Sequence, residues 1–134
     1  QLSLADITVP MFVVGTETDH VAPWRPVYKV GKLVRSTDYT FCLTSGGHNA
    51  GIISGPQHPK RRHRTHTSKA GSRLLSPDRY LEKVEPVQGS WWPTWAQWLD
   101  QHSSERKVAP PHMGAPKQGL KALCAAPGEY VRAK

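Results

Sequence analysis

"ITVPMFVVGTETDH", residues 7–20, decides how this chain folds. Its apolar run, 7–15, is rich in β-branched residues and shows no polar alternation after Thr8, the pattern of a strand buried on both faces in a parallel sheet. The polar "TETDHVAPW" that follows reads as a turn, and Pro23 stands where a helix can begin, since its missing N–H costs little there. Val27, Val30, Leu33 and Val34 recur at helical spacing, which predicts a helix over 25–34. "DYTFCL", residues 38–43, is a second strand, ended abruptly by Gly46 and Gly47. Strand, acidic loop, helix, strand, histidine loop is a βαβ pattern, and in open α/β sheets the functional groups collect beyond the carboxyl ends of the strands. Asp19 and His48 both fall there.

Outward from this unit the sequence divides into three stretches. Residues 1–57 carry the strands and loops just described, and 2–10 read as the approach to the first strand with no leader segment ahead of it. Residues 58–89 are rich in Pro, His, Arg and Ser, and are expected to be a basic, irregular surface segment with a helical turn or two in "DRYLEKV". Residues 90–134 open with "SWWPTWAQWLDQH", in which Ser90 is a candidate N-cap, Pro93 falls in the first turn, and Trp91, Trp92, Trp95, Trp98 and Leu99 cluster on one side of a helix. Beyond Ser103, Pro and Gly recur too often for regular structure, so the tail is expected to wrap along the surface. No apolar run approaches the roughly 18 residues of a membrane-spanning helix. The net charge of +8 comes partly from "PKRRHRTHTSK", 59–69, and partly from Lys and Arg scattered through the rest, and suits a phosphate-bearing partner as well as a solvated loop.

A carboxylate and an imidazole in adjacent loops are what an acid and base relay requires: the carboxylate fixes the imidazole tautomer while the other ring nitrogen takes a proton from a nucleophile. In α/β-hydrolase-type enzymes the chain order is nucleophile, acid, histidine, with the nucleophile on a GxSxG-like elbow. Asp19 and His48 keep that order, but no GxSxG or GxCxG occurs in the 134 residues. Cys42 follows Asp19 and sits inside a strand pattern, so it reads as a small buried hydrophobe. His58, His63 and His66 lie close together without metal-ligand spacing and among Arg and Lys, so no metal site is expected.

"VPMFVVGTETDHVAPW", "FCLTSGGHNAGIISGP", "GSWWPTWAQWL" and "APGEYV" together resemble the C-terminal part of the polyhydroxyalkanoate synthases, the poly(3-hydroxybutyrate) polymerases, over about residues 6–131. The resemblance implies part of an α/β-hydrolase fold, incomplete here, followed by the Trp-rich helix and an irregular tail. It implies an acyltransferase that polymerises (R)-3-hydroxyacyl-CoA with release of CoA through a Cys, His and Asp set. His48 matches the catalytic histidine, Asp19 the catalytic aspartate, and His20 the histidine that follows it, in a supporting role. No cofactor is implied, the substrate being an acyl-CoA.

The departures are equally definite. With no nucleophile elbow in the chain, the nucleophile is expected upstream of Gln1, and the isolated 134 residues are expected to be inactive, with the first strand left as an apolar unpaired edge. Arg61, Arg62 and Arg64 follow the histidine loop and are candidates for binding the CoA phosphates, a reading prompted by charge alone. The expected partners are the acyl-CoA, the growing polyester and the granule surface, with a homodimer in the parent protein and no nucleic acid. The expected location is the cytoplasm, on polyhydroxyalkanoate granules. The competing readings are a truncated, non-catalytic paralogue that binds granules or nucleic acid through its charge, and the tail of some other α/β-hydrolase.

Overall fold

A computed structural model describes residues 2–133. The chain divides after Ser103 into two compact units. The first contains a mixed four-stranded sheet in the order β1-β2-β3-β4, with β1 Met11–Thr16, β2 Asp38–Thr44, β3 Arg62–Lys69 and β4 Val87–Gln88. β1 and β2 are parallel, as the βαβ reading requires, with Met11 opposite Tyr39 and Thr16 opposite Thr44. β1 lies at the edge of the sheet.

The sheet then reverses direction. β3 pairs antiparallel with β2 over its whole length, from Asp38 opposite Lys69 to Thr44 opposite His63, and β4 pairs antiparallel with β3. This corrects the expectation that 58–89 is irregular. β3 alternates: His63, Thr65 and Thr67 share the sheet face of Thr40, Cys42 and Thr44, and the Thr40 and Thr67 hydroxyls meet at 2.8 Å. Its opposite face carries Arg64, which donates to the carbonyl of Val84. The strand forms because β2, buried along nearly its full length, supplies a ladder partner, and polar β-branched residues satisfy one half-buried face.

Helices cover both faces. On one, α1 Trp24–Tyr28 and α2 Pro77–Lys83 enclose a core of Trp24, Tyr28, Tyr39, Phe41, Leu43, Tyr80 and Val84. Its aromatic rings pack edge-on, Tyr28 against Phe41 at 4.8 Å and Phe41 against Tyr80 at 5.5 Å between centroids. The Tyr80 hydroxyl lies 2.8 Å from the Arg64 carbonyl and 3.2 Å from that of Phe41, so α2 is fastened to both central strands. α1 is shorter than the 25–34 expected, because the chain tightens into a 3-10 turn over Lys29–Lys32. There Gly31 presses on Tyr39, whose ring would lie 2.6 Å from a Cβ at that position. Leu33 consequently turns out to solvent.

On the other face lies α3, Trp92–Gln101. Phe12 of β1 stacks on Trp91 at 6.2 Å and meets Trp98 edge-on at 5.7 Å. The helix is capped at Trp91 rather than at Ser90, one residue earlier, whose hydroxyl accepts the Trp92 N–H at 3.1 Å. His63 links β3 to the same end: its Nδ1 donates to the Gly89 carbonyl at 3.1 Å, and its Nε2 is 2.9 Å from the Thr94 hydroxyl. The Trp-rich helix thus belongs with the sheet rather than with the tail.

The approach to β1 is a 3-10 turn, Leu4–Asp6, closed by a reciprocal capping box between Ser3 and Asp6. The second unit, 104–134, contains two 3-10 turns, Pro116–Gln118 and Tyr130–Arg132, and an isolated bridge between Ala115 and Leu120. Among the described residues, no helix is long and apolar enough to cross a membrane.

Candidate active site

Because β1 and β2 are parallel neighbours, the loops that follow them leave the same end of the sheet side by side. Their backbones are tied together directly: Glu17 N–H donates to the Thr44 carbonyl at 2.9 Å and Thr18 N–H to that of Gly46 at 3.1 Å. The loop after β1 then curls around its own aspartate. Asp19 Oδ1 accepts the backbone N–H groups of Val21 and Ala22, both at 2.8 Å. Oδ2 turns to the second loop, 2.8 Å from His48 Nδ1, with the Thr16 hydroxyl at 3.4 Å.

The Asp19 side chain is only 7% exposed. Even so its pKa is lowered to about 2, first by the Ala22 N–H, against the opposing cost of burial, and then by His48 and the Val21 N–H. A carboxylate in that state accepts and cannot donate, so His48 Nδ1 carries the proton and donates it. In the neutral imidazole the lone pair is then on Nε2. The His48 side chain is 47% exposed, and none of the described hydrogen bonds engages Nε2. The arrangement is therefore an oriented imidazole with a fixed tautomer, able to take a proton on Nε2 while the anion beside Nδ1 stabilises the resulting charge.

His48 opens a single helical turn, in which Gly51 N–H donates to the Gly47 carbonyl at 2.9 Å. Ile52 and Ile53 N–H also donate to the Asn49 carbonyl, and further contacts reach the loop from residues 90–92. Trp91 Nε1 donates to the Gly51 carbonyl at 3.2 Å, Trp92 Nε1 to that of Ile52 at 2.9 Å, and the Ser90 hydroxyl to that of Ser54. The sequence pattern sets these tryptophans on one side of a helix and does not reveal their indole donors. The available signal was that a buried indole N–H needs an acceptor, and that the loop offers carbonyls.

The other expected residues are placed as follows. His20 is exposed, and its ring takes part in none of the described hydrogen bonds. Arg61, Arg62 and Arg64 are not gathered around a common space. The Arg61 guanidinium is bonded to Ser54 Oγ and to the carbonyls of Ala50 and Ser45. Arg64 is directed to the Val84 carbonyl on the core side. Arg62 pairs with Glu17 at 2.8 Å, with its own side chain 51% exposed. Cys42 lies on β2 with 0% exposure, and burial pushes its thiol up to about 12, the chemistry of a packing residue.

No protein-family model matches the chain. Curated proteins do. The poly(3-hydroxyalkanoate) polymerase subunit PhaC of Cupriavidus necator is 35% identical over 133 residues, which cover 99% of this chain and 21% of that protein. The chain is similar to the polyhydroxyalkanoate polymerases over nearly its whole length. The poly(3-hydroxyalkanoate) polymerase of Methylorubrum extorquens is 36% identical over 141 residues, covering 100% of the chain and 21% of the relative. Poly(3-hydroxyalkanoate) polymerase 2 of Ectopseudomonas oleovorans is 31% identical over 131 residues, with 97% and 22% covered. The chain thus spans about a fifth of the length of the curated relatives it matches. The likeness extends along nearly the whole chain, both units included.

Proposed function

We propose that this chain supplies the acid and the base of a polyester-forming acyltransferase of the α/β-hydrolase kind, one that joins (R)-3-hydroxyacyl units taken from CoA thioesters. The observation that carries this reading is the 2.8 Å bond between His48 Nδ1 and an Asp19 carboxylate whose pKa is lowered to about 2. The polymerase relatives supply its substrate class.

In this reading His48 Nε2 removes the proton from a cysteine thiol outside these 134 residues. The thiolate attacks the acyl-CoA carbonyl, the carbon–sulfur bond to CoA breaks, and the proton passes from Nε2 to the departing CoA thiolate. Asp19 keeps the imidazole aligned and stabilises its cationic form, so that one difficult transfer becomes two easier ones. In elongation, His48 Nε2, with Asp19 behind it, would accept the proton of a 3-hydroxyl group attacking the acyl-enzyme. Val21, Ile52 and Ile53, exposed on the two loops, would give the acyl chain an apolar rim. Arg62, with a surface-exposed guanidinium, is the arginine proposed to meet a CoA phosphate. His20 keeps its proposed supporting role beside the aspartate, at the granule surface in the cytoplasm.

The test is a chimera in which this chain replaces the matching segment of the Cupriavidus necator polymerase, assayed by CoA release and polymer yield. The His48→Ala chimera should lose at least about 100-fold in turnover, the lower end of what a positioned base contributes. Retention of full turnover by that variant would refute the assignment of His48.

A further inference from the structure

The imidazole of the candidate base is half exposed, and the one described hydrogen bond of its ring is that of Nδ1 to Asp19. Its place is set by the backbone of residues 45–54, whose internal bonds run from Gly51 N–H to the Gly47 carbonyl, from Ile52 and Ile53 N–H to that of Asn49, and from Ser54 N–H to that of Ile52. Arg61 ties this turn to both ends of the loop. One planar guanidinium reaches three points along it: Nη1 to the Ser45 carbonyl at 3.5 Å, Nη2 to the Ala50 carbonyl at 2.7 Å and Nε to Ser54 Oγ at 2.9 Å. These partners bracket His48, before it, two residues after it and at the end of the loop. The fork is rigid and its charge permanent, so it clamps the three acceptors in one plane, a task that a lysine ammonium cannot perform.

The surroundings are shaped to admit this group. Gly46 has φ of +105°, and a Cβ there would stand 2.6 Å from Arg61 Nη1. The Arg61 backbone is held in turn, its carbonyl accepting the Gly89 N–H at 2.6 Å. The next residue exchanges two bonds with Ser45: Ser45 N–H to the Arg62 carbonyl at 2.9 Å, and Arg62 N–H to Ser45 Oγ at 3.1 Å. From the far side the Trp91 and Trp92 indoles close on Gly51 and Ile52.

We propose that Arg61 is a positioning residue for the proposed base, clamping the loop so that His48 Nδ1 stays on Asp19 and Nε2 stays aimed at the nucleophile. The proposal rests on the reading of His48 as the base, and its test separates the two.

In the 134-residue chain, carbethoxylation of each histidine is followed by peptide mass as a function of pH. His63, 5% exposed and bonded through both ring nitrogens, serves as the internal control for folding. Asp19→Asn defines the His48 profile when its partner is altered. Arg61→Met should move the His48 profile most of the way to that of Asp19→Asn, with no further movement in the double variant and with His63 still protected. A wild-type His48 profile in folded Arg61→Met overturns the proposal. Should His63 become reactive in Arg61→Met, Arg61→Lys is read by the same criteria. Reactive His63 in both variants also overturns it, since Arg61 would then hold the whole fold rather than the base.

In the chimeric polymerase, Arg61→Met should lower kcat by about 10- to 100-fold with KM little changed, the scale of a misplacement near 1 Å, and guanidinium ion should partly restore Arg61→Ala. Unchanged kcat in Arg61→Met, where His48→Ala is inactive, refutes the positioning role alone. An active His48→Ala chimera refutes the function, and the carbethoxylation profiles still judge the clamp.

Discussion

Tyr28, Tyr39, Tyr80 and Cys42 form a set of four protonated groups buried about the two central strands, and together they predict how the fold fails in alkali. Burial raises all four pKa values: Tyr28 to about 12 from its ordinary 10.0, Cys42 to about 12 from 9.0, and Tyr39 and Tyr80 upward as well. The folded chain therefore keeps protons that the unfolded chain loses above pH 9 to 10. Stability from these groups is complete below their ordinary values and declines as pH rises through them, each fully mismatched group contributing about 1.4 kcal/mol per pH unit. By about pH 11 the three tyrosines account for a loss of about 4 kcal/mol and Cys42 for about 3. That is comparable with the whole stability of a typical domain, 5–15 kcal/mol in rough terms, so alkaline unfolding is expected near pH 11. Urea unfolding of the dilute chain, followed by tryptophan fluorescence in half-unit steps from pH 7 to 11, measures the decline. Tyr80→Phe should lower stability at neutral pH by about 1–2 kcal/mol through its lost hydroxyl, and should shrink the decline between pH 8 and 11 by about 1.4 kcal/mol. A flat profile, or an unchanged decline in Tyr80→Phe, would refute the reasoning.

Asp19→Asn in the chimeric polymerase should depress turnover by about 100- to 10,000-fold, because the amide can favour the wrong tautomer; polymer yield and CoA release measure it. With its folded pKa lowered to about 2 from 3.8, Asp19 adds stability that is present above pH 3.8 and lost toward pH 2, so acid unfolding of Asp19→Asn should be less steep in that window. Gly46→Ala combines a left-handed φ with displacement of Arg61 Nη1 and should cost about 2–4 kcal/mol in urea unfolding; a wild-type midpoint would contradict the contact. The unpaired outer side of β1 should make the isolated chain associate with itself, with a sedimentation coefficient that rises over a tenfold concentration range; an invariant monomer would dismiss the edge as a liability.

The parallel pair and the two loops were legible because their signals are local: continuous apolar runs mark β1 and β2, and glycines mark the turn where His48 begins. β3 was not legible because its stability is not local. "RHRTHTSK" has the composition of a solvated basic segment, and only pairing with β2 turns its His63, Thr65, Thr67 alternation into one buried face. The same gap concealed Arg61, whose donors could be assigned only once the loop and the start of β3 were known to meet. The length of α1 was misjudged for a similar reason: helical spacing continues through Gly31, but Tyr39 from a strand beyond decides how closely the chain must pass.

The reversal of direction between β2 and β3 separates two kinds of freedom along the chain. Since β3 runs against β2, its first residues, not its last, arrive beneath the two loops, and the chain leaves for α2 at the far end of the sheet. Residues 70–76 therefore span the end remote from His48, and an inserted stretch there would lengthen a surface connection at a small entropic cost without moving the pair. Residues 55–60 join the histidine loop to its own clamp, so a change of length there shifts Arg61 and His48 against one another. Natural variation and grafted tags should accordingly be accommodated at 70–76 and excluded from 55–60.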